Sequence, residues 1–146
     1  YFVSNLFVEK IICIKYNKVP IVELKGDLKA KDVDKVMDII NQKGLRDKVI
    51  IISFFVGYIT DLRRKYPNLK IMFLSEFVND SVLDLCIQFN FGIDANYKAL
   101  NKEYIDKFHK AGLLVNAYTV NDKLIAEKLV DFKIDYITTN LLEANE

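Results

Sequence analysis

The sequence predicts an α/β fold built from parallel βα repeats. Three observations carry this. Short apolar runs rich in β-branched residues recur along the chain. Their starts fall near positions 20, 49, 70, 92, 113 and 134, so after the first interval the spacing is 21 or 22 residues. A helical pattern of apolar residues lies between one run and the next. Runs without strict alternation suit strands buried on both faces, as in parallel sheets. A repeated βα unit of this size implies right-handed crossovers. Two architectures fit: an open doubly wound sheet, or part of a (β/α)8 barrel. A whole barrel takes about 250 residues and eight strands, so the barrel reading here is an incomplete one of about six strands. The chain starts at Tyr1 rather than Met, and this too leads us to expect an upstream piece.

The elements follow in order. Residues 1–16 are read as a helix, although Ile11–Ile14 also suits a strand. Pro20–Lys25 is the first strand, punctuated by Gly26 and Asp27. Val33, Val36, Met37 and Ile40 recur at helical spacing, and Gly44 sits where that helix should stop. Val49–Phe54 is the second strand. Ile59, Leu62 and Tyr66 mark the next helix, closed by Pro67. Lys70–Leu74 is the third strand, and Val82, Leu85, Cys86 and Phe89 form the following stripe. Gly92–Ala95 is a weaker fourth strand. Ile105 and Phe108 carry a helix over 101–110 that Gly112 ends. Leu113–Val120 is the fifth strand, Leu124, Ile125, Lys128 and Leu129 mark the last helix, and Asp135–Thr139 is the sixth strand. Asp80, Asn101 and Asn121 occupy N-cap positions.

Composition bounds the function classes. The chain has 146 residues, 51% hydrophobic and 28% charged, which is one domain's worth with a real core, read as a single domain over 1–146. Its 21 Lys and Arg against 20 Asp and Glu give a net charge of +1, with no basic footprint for nucleic acid. Two distant cysteines, Cys13 and Cys86, exclude a disulfide scaffold and read as reduced core thiols. With one histidine, a zinc site of His and Cys is not expected. No apolar run approaches the ~20 residues of a bilayer span, and no signal peptide is visible in Tyr1–Ile14. The chain is therefore expected to be cytoplasmic or membrane-associated, the latter through a membrane domain upstream.

In parallel α/β folds the chemistry gathers at the C-terminal ends of the strands. The polar residues there are Glu23 and Lys25, Ser53, Ser75 and Glu76, Asp94 and Asn96, Tyr118, Thr119 and Asn121, and Thr139 and Asn140. Glu23 and Lys25 are the sharpest pair, because residues i and i+2 of a strand share a face. Together they could bind a hard cation and an anionic oxygen. They could equally be a plain buried ion pair. A Schiff-base Lys25 needs a lowered amine pKa, which a neighbouring carboxylate opposes. The scattered glycines exclude GxGxxG and Walker A loops. His109 falls at the end of its helix, away from the catalytic face, and reads as structural. Phe54, Phe73 and Tyr118 could wall a ligand pocket. Lys29–Lys35 reads as a solvated helix face.

Several segments arrive in one order: Val22-Glu23-Leu24-Lys25, Ile51-Ile52-Ser53-Phe54, Pro67 through Phe73-Leu74, His109 through Tyr118-Thr119-Val120-Asn121, and Ile134-Asp135-Tyr136-Ile137-Thr138-Thr139. In this the chain resembles the C-terminal part of the glycerophosphodiester phosphodiesterase family. The family pattern is an E-I-K strand, an S-S-F strand, a P…(Y/F)-L strand, an H-x-x-G-x-x-V-x-x-W-T-V-N segment and a V-D-x-I-x-T-D end. The resemblance implies a TIM barrel and cleavage of glycerophosphodiesters to glycerol 3-phosphate and an alcohol with Ca²⁺ or Mg²⁺. It implies that Glu23 is a metal ligand, that Lys25 contacts the phosphate oxygens, and that Phe54, Tyr118 and Asn121 line the substrate pocket.

Departures accompany it. The H-R-G, E-x-D and H-D motifs, which supply the family's catalytic histidines and paired metal carboxylates, are not in these 146 residues. Tyr118 replaces the usual Trp, Asn140 the usual Asp and Leu142 the usual Pro, and Phe55 stands where Asp often follows Ser-Phe. The chain alone is therefore expected to be inactive, the activity belonging to the full-length protein. The alternatives are a non-catalytic barrel-derived binding module and an unrelated flavodoxin-like or aldolase-like domain. Open barrel edges at the first and sixth strands would favour self-association.

Overall fold

The structure is a computed structural model, described here over residues 19–141. The helix expected over residues 1–16, Cys13 and Leu142 lie outside the described residues. The chain divides between Ile71 and Met72 into two compact units. The expected βα alternation is present in each.

The first unit contains β1 (Ile21–Glu23), α1 (Ala30–Gln42), β2 (Ile50–Ser53) and α2 (Val56–Lys65). β1 and β2 pair in parallel, Ile21 with Ile50 through Glu23 with Ile52. All four residues of β2 are buried, as expected of a strand covered on both faces. Val33, Met37 and Ile40 form the buried stripe of α1, whereas Val36 is only half-buried. The chain leaves α1 through Gly44 at φ 62°, a left-handed conformation that glycine adopts without penalty. α2 buries Ile59 and Leu62. Its Arg63 donates to the carbonyls of Pro67 (2.6 Å) and Leu69 (2.8 Å), folding the turn back toward the next strand.

β3 (Lys70–Ser75) runs across the division. The second unit continues with α3 (Asp80–Phe89), β4 (Gly92–Asn96), a 3₁₀ turn (Tyr97–Ala99), α4 (Lys102–Lys110), β5 (Val115–Tyr118), α5 (Lys123–Asp131) and β6 (Tyr136–Ile137). Its strands pair in parallel in chain order. Met72 to Ser75 lie against Gly92 to Ala95, Ile93 to Asn96 against Val115 to Tyr118, and Asn116 and Ala117 against Tyr136 and Ile137. Cys86, Phe91, Ile93, Ala95, Ile105, Phe108, Val115 and Ala117 have no exposed surface and form the core of this unit. Each buried phenylalanine contributes about 1.5–3 kcal/mol.

Local details differ from the sequence reading. α3 is capped by Asn79, whose side chain accepts from Val82 N, rather than by Asp80. α5 is capped by Asp122, not Asn121. Asn101 caps α4 as expected. In both corrected cases two adjacent residues have capping side chains, and the cap is the one immediately before the first helical residue. α3 buries Leu83, while Leu85 is only half-buried. On α5, Leu129 is buried but Leu124 is 75% exposed. Five residues of helix turn the chain by about 140° away from the starting face, so these two leucines cannot share a stripe. β5 and β6 are also shorter than the apolar runs that announce them.

Candidate functional site

In the first unit, Glu23 ends β1 and Lys25 follows two residues later. Lys25 Nζ lies 3.7 Å from Glu23 Oε2, so the two side chains converge as their alternation requires. The Lys25 side chain is 60% exposed and that of Glu23 29%. This is not a buried ion pair. An exposed pair of this kind contributes at most about 1 kcal/mol, so the fold does not depend on it and both groups can serve a ligand. An ammonium that is mostly hydrated and paired with a carboxylate also lacks the desolvated pocket that an amine nucleophile needs.

The surrounding loops are tied by other residues. Ser53 Oγ, fully buried, donates to the Leu24 carbonyl and accepts from Phe55 N at 3.0 Å. It thus joins the ends of β1 and β2 at the entry to α2. Tyr58 Oη donates to the Gly26 carbonyl (2.9 Å) and accepts from Leu28 N (3.0 Å), pinning the turn after Lys25. Gly26 holds φ 81° in that turn. Phe54 and Phe55 are 44% and 50% exposed beyond β2. Phe54 is therefore available to a ligand, at the strand end where the sequence places it.

In the second unit the polar residues form two tiers on one face of β4 and β5. The lower tier is buried at Asp94 and Asn116 and half-buried at Thr138: Asn116 Nδ2 donates to Asp94 Oδ1 (2.8 Å) and to Thr138 Oγ1 (3.0 Å). Asn116 Oδ1 is buried and has no hydrogen-bond partner among the described residues. The upper tier lies two residues further along each strand. Asn96 Nδ2 donates to Glu76 Oε2 at 2.9 Å. The Tyr118 hydroxyl, with its single hydrogen, lies 3.0 Å from the Ser75 carbonyl and 3.1 Å from Glu76 Oε1. The register sets Asp94 beside Asn116 and Asn96 beside Tyr118, so the tiers are stacked by backbone pairing. Asn121 Oδ1 accepts from Asn140 N at 2.9 Å, tying the loop after β5 to the loop after β6.

Sequence reasoning named Asp94, Asn96, Glu76 and Tyr118 as strand-end residues but missed Asn116 and Thr138. The available signal was an asparagine flanked by Val115 and Ala117 inside a buried strand, where an amide needs partners. His109 behaves as expected of a structural residue. It lies in the last turn of α4, and its Nε2 is 2.9 Å from Asp135 Oδ2, which also accepts from Val115 N at 2.8 Å. Among the described residues there is no group of three or more His, Cys, Asp or Glu side chains that could hold a metal ion. Among them also, no helix is long and apolar enough to cross a membrane.

Comparison with known proteins shows what the chain as a whole is similar to. The Glycerophosphoryl diester phosphodiesterase family matches residues 2–144. A glycerophosphodiester phosphodiesterase of Bacillus subtilis (strain 168) is 31% identical over 98 residues, covering 64% of this chain and 33% of that protein. Among solved structures, a Silicibacter pomeroyi DSS-3 protein assigned to the glycerophosphoryl diester phosphodiesterases superposes with a TM-score of 0.79 at 19% identity, covering 91% of this chain and 51% of that one. A glycerophosphodiester phosphodiesterase from Parabacteroides distasonis ATCC 8503 gives a TM-score of 0.70 at 23% identity, covering 84% and 53%. An Oleispira antarctica phosphodiesterase, solved with the product sn-glycerol-3-phosphate, gives 0.77 at 16% identity, covering 88% and 54%. The chain thus spans about a third of the curated relative and about half of the solved structures. Its fold is that of an incomplete (β/α)8 barrel, shared along nearly the whole chain. With a family match that runs from residue 2 to residue 144, the chain belongs to the glycerophosphoryl diester phosphodiesterase family.

Proposed function

We propose that the full-length protein carrying this chain hydrolyses glycerophosphodiesters to glycerol 3-phosphate and an alcohol. The observation that carries the reading is the converging, solvent-accessible Glu23–Lys25 pair at the end of β1 in a chain of this family. In the reaction a water oxygen adds to phosphorus, the bond from phosphorus to the alcohol oxygen breaks, and a proton passes to the departing alkoxide. Lys25 contacts the phosphate oxygens and offsets the charge that grows on them in the transition state. Phe54, Tyr118 and Asn121 contact the substrate. Glu23 would offer one oxygen to a Ca²⁺ or Mg²⁺ ion, which would polarise a phosphoryl oxygen. Such ions take about six to eight oxygens, and the described residues include no acidic or His/Cys cluster of three. They do not by themselves fit the ion.

In this reading the chain alone is inactive. Its one histidine, His109, is engaged by Asp135 at the N-terminal ends of β5 and β6. The same fact favours a second reading, a binding module without catalysis. Release of glycerol 3-phosphate by the full-length protein decides between them. Lys25→Ala is expected to lower kcat/KM by about a hundredfold or more, with the melting temperature unchanged because the residue is mostly exposed. Absence of turnover by the unmodified full-length protein would leave the binding-module reading.

A further inference from the structure

The backbone is held on both sides of Lys25, and the two holds differ in kind. Among the described residues its side chain makes one ion pair, at 3.7 Å with Glu23, and it is 60% exposed. The chain around Lys25 therefore sets where its ammonium can sit. Upstream, the sheet fixes Leu24. That residue is buried, its amide donates to the Ile52 carbonyl at 2.8 Å, and its carbonyl accepts from Ser53 Oγ. Downstream the strand has ended. Gly26 stands at φ 81°, and a Cβ built on it would meet nothing within 4 Å, so packing does not confine the turn there. The Leu28 amide reaches the Gly26 carbonyl at 3.2 Å, a contact inside the turn that ties it to no other element.

Among the described residues, the hydrogen bonds that tie this turn to another element come from one hydroxyl on α2. Tyr58 Oη donates to the Gly26 carbonyl at 2.9 Å and accepts from Leu28 N at 3.0 Å. Freed of that tie, Gly26 would reach conformations of either φ sign, and the direction of the Lys25 side chain would follow. The Tyr58 ring has supports of its own. It is tilted against Phe55 with 5.3 Å between ring centroids, and it lines a groove with Leu28, Val33 and Leu62. The ring is thus placed without help from the hydroxyl, and the hydroxyl is free to act as an anchor. We infer that Tyr58 is a positioning residue for Lys25. It keeps the turn after Lys25 ordered before substrate arrives, so the ammonium meets the phosphate oxygens in place. This role rests on the phosphodiesterase reading, since it takes Lys25 to meet a phosphate.

The test uses the full-length protein with glycerophosphoethanolamine and glycerophosphoglycerol as substrates. Tyr58→Phe keeps the ring and removes both hydrogen bonds. It is expected to lower kcat/KM about tenfold, through kcat, because Lys25 acts on charge that grows in the transition state. The effect is smaller than that of Lys25→Ala because the ammonium is still present. In a Lys25→Ala background the same substitution is expected to change kcat by less than about twofold, since no ammonium is left to place. A fall of the same size in both backgrounds is the mark of a merely structural role and would overturn the inference. So would a kcat for Tyr58→Phe within about twofold of the unmodified protein; either result leaves the phosphodiesterase reading standing. If neither diester is turned over, that reading fails, and NMR on protein labelled with ¹⁵N-glycine decides the hold itself. A Gly26 order parameter that falls from about 0.85 to below about 0.6 in Tyr58→Phe would uphold it, and one that stays above that level would overturn it.

Discussion

The two ends of the strands in the second unit use polar groups in opposite ways. At the N-terminal ends two such groups meet complements. Asp135 receives both His109 and the Val115 amide, and the Cys86 thiol lies 3.8 Å from the Gly92 carbonyl, to which it donates. At the C-terminal ends and just beneath them, complements are missing. Among the described residues Glu76 has only neutral donors, and Asn116 Oδ1 has no hydrogen-bond partner. Satisfied groups lock a structure, whereas an unneutralised charge is available to a ligand. The comparison separates stability from recognition along the same strands, as barrel folds do generally.

The most direct way to break the comparison is at Gly92. A Cβ there would come within 2.8 Å of the Leu114 carbonyl oxygen and 2.9 Å of Met72 Cγ. Met72 can shift, but the backbone oxygen belongs to the neighbouring chain segment, which Ile93 N also bonds at 2.9 Å. Gly92→Ala is therefore expected to cost about 2 kcal/mol in urea unfolding. A cost under about 0.5 kcal/mol would mean that the N-terminal end is not closely packed.

The Asp135 staple comes next. Asp135→Ala removes the partner of His109 and of the Val115 amide together, for an expected loss of about 1–2 kcal/mol. His109→Ala removes one contact and should cost less. Neither should alter the release of glycerol 3-phosphate by the full-length protein. A change in that release in Asp135→Ala would show that the two ends are not separable.

How much of this was legible in the sequence follows from how each feature is encoded. The Glu23–Lys25 convergence is local geometry, since any strand puts i and i+2 on one face, and it was readable outright. The strands were readable because runs such as Ile50-Ile51-Ile52 must be buried on both sides. The caps slipped by one residue at Asn79-Asp80 and Asn121-Asp122 because either side chain can cap and only the backbone path chooses. The Glu76–Asn96–Tyr118 cluster was not readable. Its members lie 20 and 42 positions from Glu76 and meet only through the register of three strands. The exposed Leu124 follows the same logic, since which face of α5 is covered depends on its docking and not on its apolar content.

The smallest expected effect concerns Cys86 and appears only in alkali. Burial pushes its thiol up to about 12, because a thiolate in the apolar core would lose its hydration. In the unfolded chain a cysteine ionises near pH 8.5. Between these values the folded state holds a proton that the unfolded state has released, so stability falls as pH rises, by at most about 1.4 kcal/mol per pH unit from this group. Lysines and tyrosines titrate in the same range, so the thiol is isolated by comparison with Cys86→Ala. At pH 7 the variant should be less stable through the cavity it leaves. By pH 9.5 the gap between the two proteins should have narrowed by about 1.4 kcal/mol, since only the unmodified chain gains the Cys86 thiolate on unfolding. A gap that stays constant from pH 7 to pH 9.5 would mean that Cys86 ionises in the folded protein, and so that water reaches the underside of β4, where the sealed side of the comparison requires it to be dry.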